Sequence, residues 1–433
     1  MSDLGRRPRR AARVPTIARH GRLKRYSAVR AVLKFLAAAV AVLLVSGGSV
    51  AAIATWSVVS SIQPSVTLAN ETPGVQMPDI DAIEGGVNLL LVGSDSRQGQ
   101  DAMFGDPEKE TATLNDVTML LHISEDHSSA TVVSFPRDLF VPIPACPNPD
   151  GGTYGAMSSQ KINTTLSYGG LPCTVLTVEK LTGLSIPFAA EVQFNGVIEL
   201  SNAVGGVDVC VGSPIKDPYT GLDLAAGTHN LQGLEALQFL RTRHGVGDGS
   251  DLGRISNQQV FLSALVRTLK DGNTLSDPTK LFGIAKAAAS NMTLSNHLNN
   301  LNNMVSIALA LKDIPFDQIV FVQYPNAIGD SGGQSGVLPI KSSANALFQA
   351  IQNDQPISLT GGTGVGSELD PNAPGATETP APVETPAPVE GSTTPPLDAG
   401  ATTPPATPGG AVALPENVLG QTADDRTCSK GNN

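Results

Sequence analysis

VNLLLVGSDSR, residues 87–97, is the stretch that decides the fold. Apart from Asn88 its first six residues are apolar and do not alternate, which is the pattern of a strand buried on both faces. Gly93 ends the run. Asp95 and Arg97 follow, so charge is set at the carboxyl end of a buried strand, where open sheets place their ligands. The pattern recurs in VTMLLHIS (117–124), led in by Asp116, and in ATVVSF (130–135), which runs into Pro136 and Arg137. Further out, TVLTVEKLTGL (174–184), LEALQFLRTR (234–243) and NQQVFLSALVRTLK (257–270) have helical spacing. DPTKLFGIAKAAASNM and HLNNLNNMVSIALALKDI add two more helices, QIVFVQYP (318–325) a late strand and ANALFQAIQN (344–353) a closing helix. The expectation is one α/β domain over residues 85–357, a mixed central sheet flanked by helices.

Both flanks differ from this domain in composition. Of the 28 Lys and Arg, eleven precede residue 71, against one acid, Asp3. Residues 1–34 form a basic segment, and the uncharged span 35–59, FLAAAVAVLLVSGGSVAAIATWSVV, follows it. As a helix that span covers roughly 37 Å, enough for a hydrocarbon core of about 30 Å. A cleaved signal peptide is the competing reading, but its apolar core is typically about 7–15 residues. The positive-inside rule then puts the N-terminus in the cytoplasm and the rest outside a cell membrane crossed once. Residues 60–84 read as a polar juxtamembrane connector. Residues 358–433 turn to Gly, Pro, Thr and Ala, with the repeat ETPAPVETPAPVE at 378–390, and read as a disordered tail.

Beyond residue 70 the chain holds 17 basic against 38 acidic residues, which excludes a nucleic-acid surface. Four cysteines outside the membrane suit an oxidising compartment. Cys146 and Cys173 flank a Gly- and Pro-rich excursion and are the first choice for a disulfide; Cys210 and Cys428 can pair only if the tail returns to the domain. No CxxC or CxxH spacing suggests zinc.

Against this acidic background RTRHGVGDGSDLGRISNQQ (241–259) holds Arg241, Arg243 and Arg254. With Arg97 and Arg137 they make five guanidiniums, four of them at or just past the ends of regular elements. Guanidinium forks bind phosphates bidentately and stay charged at any relevant pH. Asp95 and Asp116, on adjacent strands, would repel each other unless a cation such as Mg²⁺ sits between them; each read alone is a turn cap. Arg137 read alone pairs with Asp138. His244, beside the arginines, is an idle loop residue or a base. Arginines, two aspartates and a divalent cation together suit a diphosphate, and no Walker loop or kinase signature is present.

Seven blocks in order after one membrane anchor carry a resemblance: GSDSR, LNDVTMLLHIS, VVSFPRDLFVPIP, QKINTTLSYGG, GGVDVCV, LDLAAGTHNLQGLEALQFLRTRH and DLGRISNQQ. In these the chain resembles the LytR-CpsA-Psr family of bacterial cell-envelope proteins, in its actinobacterial branch, from about 87 to 270 and more loosely to 355. The resemblance implies a phosphotransferase that moves a glycopolymer from an undecaprenyl-type or decaprenyl-type pyrophosphate carrier to peptidoglycan through a phosphodiester, with hydrolysis of the polyprenyl pyrophosphate as a side activity. It implies that Asp95 and Asp116 bind Mg²⁺ (or Mn²⁺). It also implies that Arg97, Arg137, Arg241, Arg243 and Arg254 surround the pyrophosphate, with Gln258 beside them. The base that takes the acceptor's proton is then Asp95 or a hydroxide on the metal. Two positions depart from the family pattern: Leu114-Asn115-Asp116 stands where RSD is common, so that the arginine's contact is absent or replaced by Asn115, and Asn257 stands where an arginine often precedes the paired glutamines. A membrane-tethered binder of lipid-linked or anionic glycans needs the same arginines but not Asp95. A hydrolase differs only in the attacking group.

Overall fold

The computed structural model describes residues 28–61, 64–71, 86–272, 274, 277–373 and 410–432. Helix α1 (Ala28–Ser61) contains the uncharged span and is long and apolar enough to cross a bilayer. Its side chains Phe35, Leu36, Leu43, Leu44 and Val45 are exposed, as a lipid-facing surface requires.

The strands of the two main sheets are, in chain order, β1 (Val87–Ser94), β2 (Asn115–Ile123), β3 (Ala130–Phe135), β4 (Phe188–Val192), β5 (Val207–Val211), β6 (Gly227–Leu231), β7 (Met292–Leu294), β8 (Ile319–Gln323), β9 (Ser367–Leu369), β10 (Gly420–Thr422) and β11 (Thr427–Ser429). The central sheet runs β7-β4-β1-β2-β3-β8-β10. It is mixed: β1 lies parallel to β4 and antiparallel to β2, while β3 lies parallel to β8. The smaller sheet runs β6-β5-β11-β9. The helices after α1 are α2 (Thr165–Thr182), α3 (Phe194–Val204), α4 (Gly233–Arg241), α5 (Asp251–Asp271), α6 (Pro278–Asn291), α7 (Leu301–Ala310) and α8 (Lys341–Gln352).

The period-2 alternation of side chains decides the layers. Leu90, Val92, Leu120 and Val133 pack on one face against Val175 and Val178 of α2 and Leu347 and Phe348 of α8. Leu89, Leu91, Phe188, Ala190 and Phe321 pack on the other against Leu262 and Val266 of α5 and Ile307 of α7. A mixed sheet with helices on both faces is the fold class the apolar runs predict. Two boundaries moved. Helix α2 begins at Thr165, but Gly169 and Gly170 leave helical geometry just before Pro172, so its regular part starts close to where the spacing placed it. Helix α5 begins six residues early, because Ser250 accepts from the backbone N–H groups of Leu252 and Gly253 and caps it there.

Both expected flanks are partly folded. In the connector, Val66 N donates to Leu294 O at 2.9 Å, Leu68 is buried in the main core, and Glu71 accepts from Leu68 N. A three-residue apolar patch is too short to give a periodic signal. The larger correction concerns the tail: residues 357–373 and 410–432 belong to the domain. Ile357–Ser358 pairs with Val412–Ala413, β10 extends the central sheet beside β8, and β11 lies between β5 and β9. Residues 374–409, including the repeat, lie outside the described residues, as do 1–27 and 72–85. The cysteines pair Cys146–Cys173 and Cys210–Cys428, so the tail does return.

Candidate active site

The site is built where β1 ends and β2 begins. A bulge between Gly93 and Ser94 turns β1 out of register. A Cβ on Gly93 would lie 2.9 Å from Val117 Cβ, so the close approach of the two strands requires glycine. Past the bulge, Asp95 N donates to Leu114 O at 3.0 Å and Asp95 Oδ1 accepts from Leu114 N at 2.6 Å. That double clasp fixes Asp95 beside Asp116, one residue into β2. Asn115 between them points into the core. Its Nδ2 donates to Thr118 Oγ1 and its Oδ1 accepts from Thr165 Oγ1, so it ties β2 to α2 and does not replace an arginine at the rim.

Asp116 is the hub of the arginines. Arg137 Nη1 donates to its Oδ1, Arg254 Nη1 stands 3.7 Å from its Oδ2, and Arg254 Nη2 donates to its carbonyl at 2.5 Å. Burial alone would raise its pKa, but Arg254 and Arg137 hold the carboxyl below the usual range. Asp95 is the reverse case. Burial pushes its carboxyl up, the hydrogen bond from Leu114 works against that, and the charge of Asp116 adds to the rise.

Asp251, in the first turn of α5, holds Oδ1 2.6 Å from Arg254 Nη2 as an ion pair, and its Oδ2 accepts from Arg137 N at 3.1 Å, locking the strand corner to the helix. Arg137 also lies 3.7 Å from Asp138, whose other oxygen accepts from Lys161 Nζ at 2.9 Å. The pairing with Asp138 is therefore present, but the contact with Asp116 is closer. On the opposite side Phe194, at the start of α3, lies between two guanidiniums: Arg241 is 4.2 Å and Arg97 4.9 Å from its ring centre. Arg97 Nε also donates to Glu110 at 2.9 Å. Arg243 is launched from the loop after α4, where Asp217 accepts from Thr242 Oγ1 and from Arg243 N. Burial and the neighbouring Arg97 push Arg241 down, and burial with Arg137 and Arg254 does the same to Arg243. Arginines that depress one another form a site short of negative charge.

Gln258 is buried and donates to Leu240 O; it lines a cavity of about 120 Å³ with Asp116, Arg241 and Arg254. Apart from Ser94 and Gln193 the rest of that lining is apolar, with Leu91, Val117, Met119, Val192, Leu237, Leu240 and Leu262 among it, between the sheet and helices α3, α4 and α5. Asp116, Arg241 and Arg254 thus line a largely apolar pocket, with Arg97 over its Phe194 and Arg137 on its Asp116. His244 is exposed, its ring 4.3 Å from that of Tyr219. Phe194, Lys161, Asp217 and Asp251 escaped the sequence reading. Only Asp251 carried a local signal, its spacing of three from Arg254 in DLGR at a helix start.

The sequence model of the LytR_cpsA_psr family matches residues 57–353. The chain is 30% identical over 349 residues to the cell wall biosynthesis protein LcpA of Corynebacterium glutamicum, across 75% of this chain and 64% of that one. It is 27% identical over 317 residues to the polyisoprenyl-teichoic acid–peptidoglycan teichoic acid transferase TagT of Bacillus subtilis, across 71% of this chain and 91% of that one. The chain thus spans less than two thirds of LcpA. The solved structure of protein gbs0355 from Streptococcus agalactiae superposes with a TM-score of 0.51 at 22% identity, over 62% of this chain and 87% of that one, a likeness of fold.

Proposed function

The chain belongs to the LytR_cpsA_psr family, and from that premise we propose that it is a phosphotransferase of cell-wall biosynthesis, carrying a glycopolymer from a polyprenyl pyrophosphate to peptidoglycan through a phosphodiester. One observation carries the reading. Arg97 Nη1, Arg137 Nε and Arg254 Nε are buried with no hydrogen-bond acceptor among the described residues; Arg254 lines the apolar pocket, and Arg97 and Arg137 contact its lining residues Phe194 and Asp116. An unpaired buried donor costs about 1–3 kcal/mol, more when charged. A ligand with several anionic oxygens and an apolar tail answers both features, and a polyprenyl pyrophosphate is such a ligand.

In this reading Arg241 and Arg97, flanking Phe194, and Arg137, Arg243 and Arg254 on the Asp116 side hold the pyrophosphate oxygens. The apolar pocket takes the prenyl end. An acceptor hydroxyl attacks the phosphorus bearing the glycan; a new P–O bond forms as the bond to the bridging oxygen breaks, and polyprenyl phosphate leaves with that electron pair. The hydroxyl's proton goes to Asp95, whose raised pKa suits it to receive one. The arginines do most of the work by aligning the phosphates and meeting the charge that develops. Water in place of the sugar hydroxyl gives hydrolysis of the carrier.

Asp95 and Asp116 also fit a divalent cation. Burial raises the pKa of the Asp95 carboxyl and the charge of Asp116 beside it adds to the rise. Mg²⁺ held chiefly by Asp95, with Asp116 as the second carboxylate, would neutralise that charge and polarise the phosphate. With α1 in the membrane and its basic end in the cytoplasm, the domain faces the oxidising side, where its two disulfides persist.

The test uses the full chain in detergent micelles and follows phosphate release from a polyprenyl pyrophosphate, and label transfer to peptidoglycan, with and without Mg²⁺. Metal-dependent turnover lost in Asp95→Ala and Arg254→Ala supports the reading. Tight binding without turnover by folded wild type would make the protein a membrane-tethered binder instead.

A further inference from the structure

Arg241 and Arg254 are separated by the loop 242–250, which also carries Arg243 and has glycine at 245, 247 and 249. Val246 N donates to Arg243 O at 3.2 Å, Gly249 N donates to Val246 O at 2.9 Å, and Asp217 anchors its start, but its glycines leave the most backbone freedom to be lost. Here the C-terminal end of the chain holds it. Gly247 N donates to Lys430 O at 2.9 Å, Asn432 N donates to Gly245 O at 3.3 Å, and Asn432 Nδ2 donates to His244 O at 2.5 Å. Val246 and Gly431 form an antiparallel bridge. The segment's other edge is fixed to the small sheet: Gly212 N donates to Ser429 O at 2.9 Å, Gly431 N donates to Ser213 Oγ at 2.9 Å, and Cys428 is bonded to Cys210.

A second set of contacts reaches the arginine helices directly. Ser429 Oγ donates to Asn257 Oδ1, and Asn257 Nδ2 donates to Phe239 O at 2.7 Å. Asn257 lies on α5, one turn beyond Arg254, and Phe239 lies on α4, two residues before Arg241. Both Asn257 and Ser429 are fully buried. Gln421 Nε2 adds a bond to Gln259 O at 3.2 Å. The contact face between the segment and α5 is therefore polar and buried. Each of these hydrogen bonds is made in one register and lost in any other, so the face sets position as well as adhesion.

We propose that residues 420–432 are a positioning segment of the active site, acting through Ser429 and Asn257 on the two helix ends and through Lys430–Asn432 on the loop, so that Arg241, Arg243 and Arg254 point together. This rests on the pyrophosphate reading of the arginines. Neither Ser429 nor Asn257 touches the substrate. Misplacing reacting partners by about 1 Å costs up to roughly a hundredfold in rate, and loosening one anchor of several should cost about tenfold.

The experiment compares full-length wild type, Ser429→Ala and Asn432→Ala in detergent micelles. It reads amide hydrogen exchange, farnesyl pyrophosphate affinity, and kcat and KM for phosphate release from that probe. For Ser429→Ala we expect faster exchange in 242–250 with β1 unchanged, and kcat down about tenfold with KM within about twofold, because the apolar pocket still takes the prenyl end. Asn432→Ala, an exposed change that frees only the His244 carbonyl, should shift the same loop and lower kcat by about threefold; it decides the matter if Ser429→Ala loosens β1 as well. Loop exchange unchanged in both variants, or loop exchange raised with kcat and KM intact, overturns the proposal. A wild type without turnover would sink the phosphotransferase reading alone. The positioning role would then be read from the loop itself, standing if Ser429→Ala and Asn432→Ala both speed exchange in 242–250 and falling if neither does.

Discussion

Asp95 and Asp116 lie just past the end of one strand and just inside the start of its neighbour, and the molecule treats them oppositely. Around Asp116 the corner after β3 and the first turn of α5 bring two guanidiniums, and its carboxyl is held ionised. Around Asp95 the closest fixed partner is a backbone N–H, and burial drives its carboxyl toward the neutral form. Asp116 is the counter-ion that lets arginines be buried beside a largely apolar pocket, whereas Asp95 carries a charge that burial disfavours and that a cation or a proton can take up. The same residue type delivered by neighbouring strands has two jobs, and the surroundings assign them.

The harshest way to break that contrast is Asp116→Ala. It takes their shared carboxylate from Arg137 and Arg254, the second of which is 3% exposed, and leaves them only Asp138 and Asp251. Breaking a buried pair from one side costs about 3–5 kcal/mol, and partial exposure of Asp116 puts the expectation near the lower end. Urea unfolding should record it, and phosphate release should be abolished. Asp95→Asn attacks the other side and should separate activity from stability. Turnover should fall by about 10²–10⁴, the range for a lost general base, while the urea midpoint at pH 7 stays or rises. A drop in both would return Asp95 to a turn cap. Phe194→Leu is milder. It removes the face on which Arg97 and Arg241 rest, worth about 0.5–1 kcal/mol at each partly exposed contact, and should raise KM for a prenyl pyrophosphate a fewfold with a small fall in the midpoint.

These predictions concern side chains of unequal legibility. The strands were readable because VNLLLVGS, VTMLLHIS and ATVVSF are buried on both faces and so lack alternation, and Asp95, Asp116 and Arg137 were marked by standing at their ends. Arg241 and Arg254 fall at a helix end and a helix start. Phe194 was not legible, since an aromatic after a short apolar run reads as core until its neighbours are known. The returning C-terminal segment was hidden for a different reason. Its apolar anchors, Val418, Ala423 and Cys428, are separated by polar residues and come after the repeat, so no periodicity builds up. Cys428 was the one signal, and a lone distant cysteine does not name its partner. Asn257 and Asn115 looked like gaps in a cationic rim; both proved to be buried tethers.

The finest test of the two aspartates is the pH dependence of stability. A carboxyl whose folded pKa lies above 3.8 keeps its proton in the folded chain after the unfolded chain has lost it. The stability it contributes is present below 3.8 and is lost as pH rises through the folded value, so Asp95 weakens the fold at neutral pH. Asp116, with its folded pKa below 3.8, contributes stability above that value which is lost as pH falls through the folded value. Thermal melts of Asp95→Asn should therefore lack the wild-type decline just above pH 3.8 and give a higher Tm at pH 7. Mg²⁺ at pH 7 should then raise the Tm of wild type by binding only the folded chain and leave Asp95→Asn where it was. If Mg²⁺ raises both equally, the cation sits elsewhere, and Asp95 keeps only its role as proton acceptor.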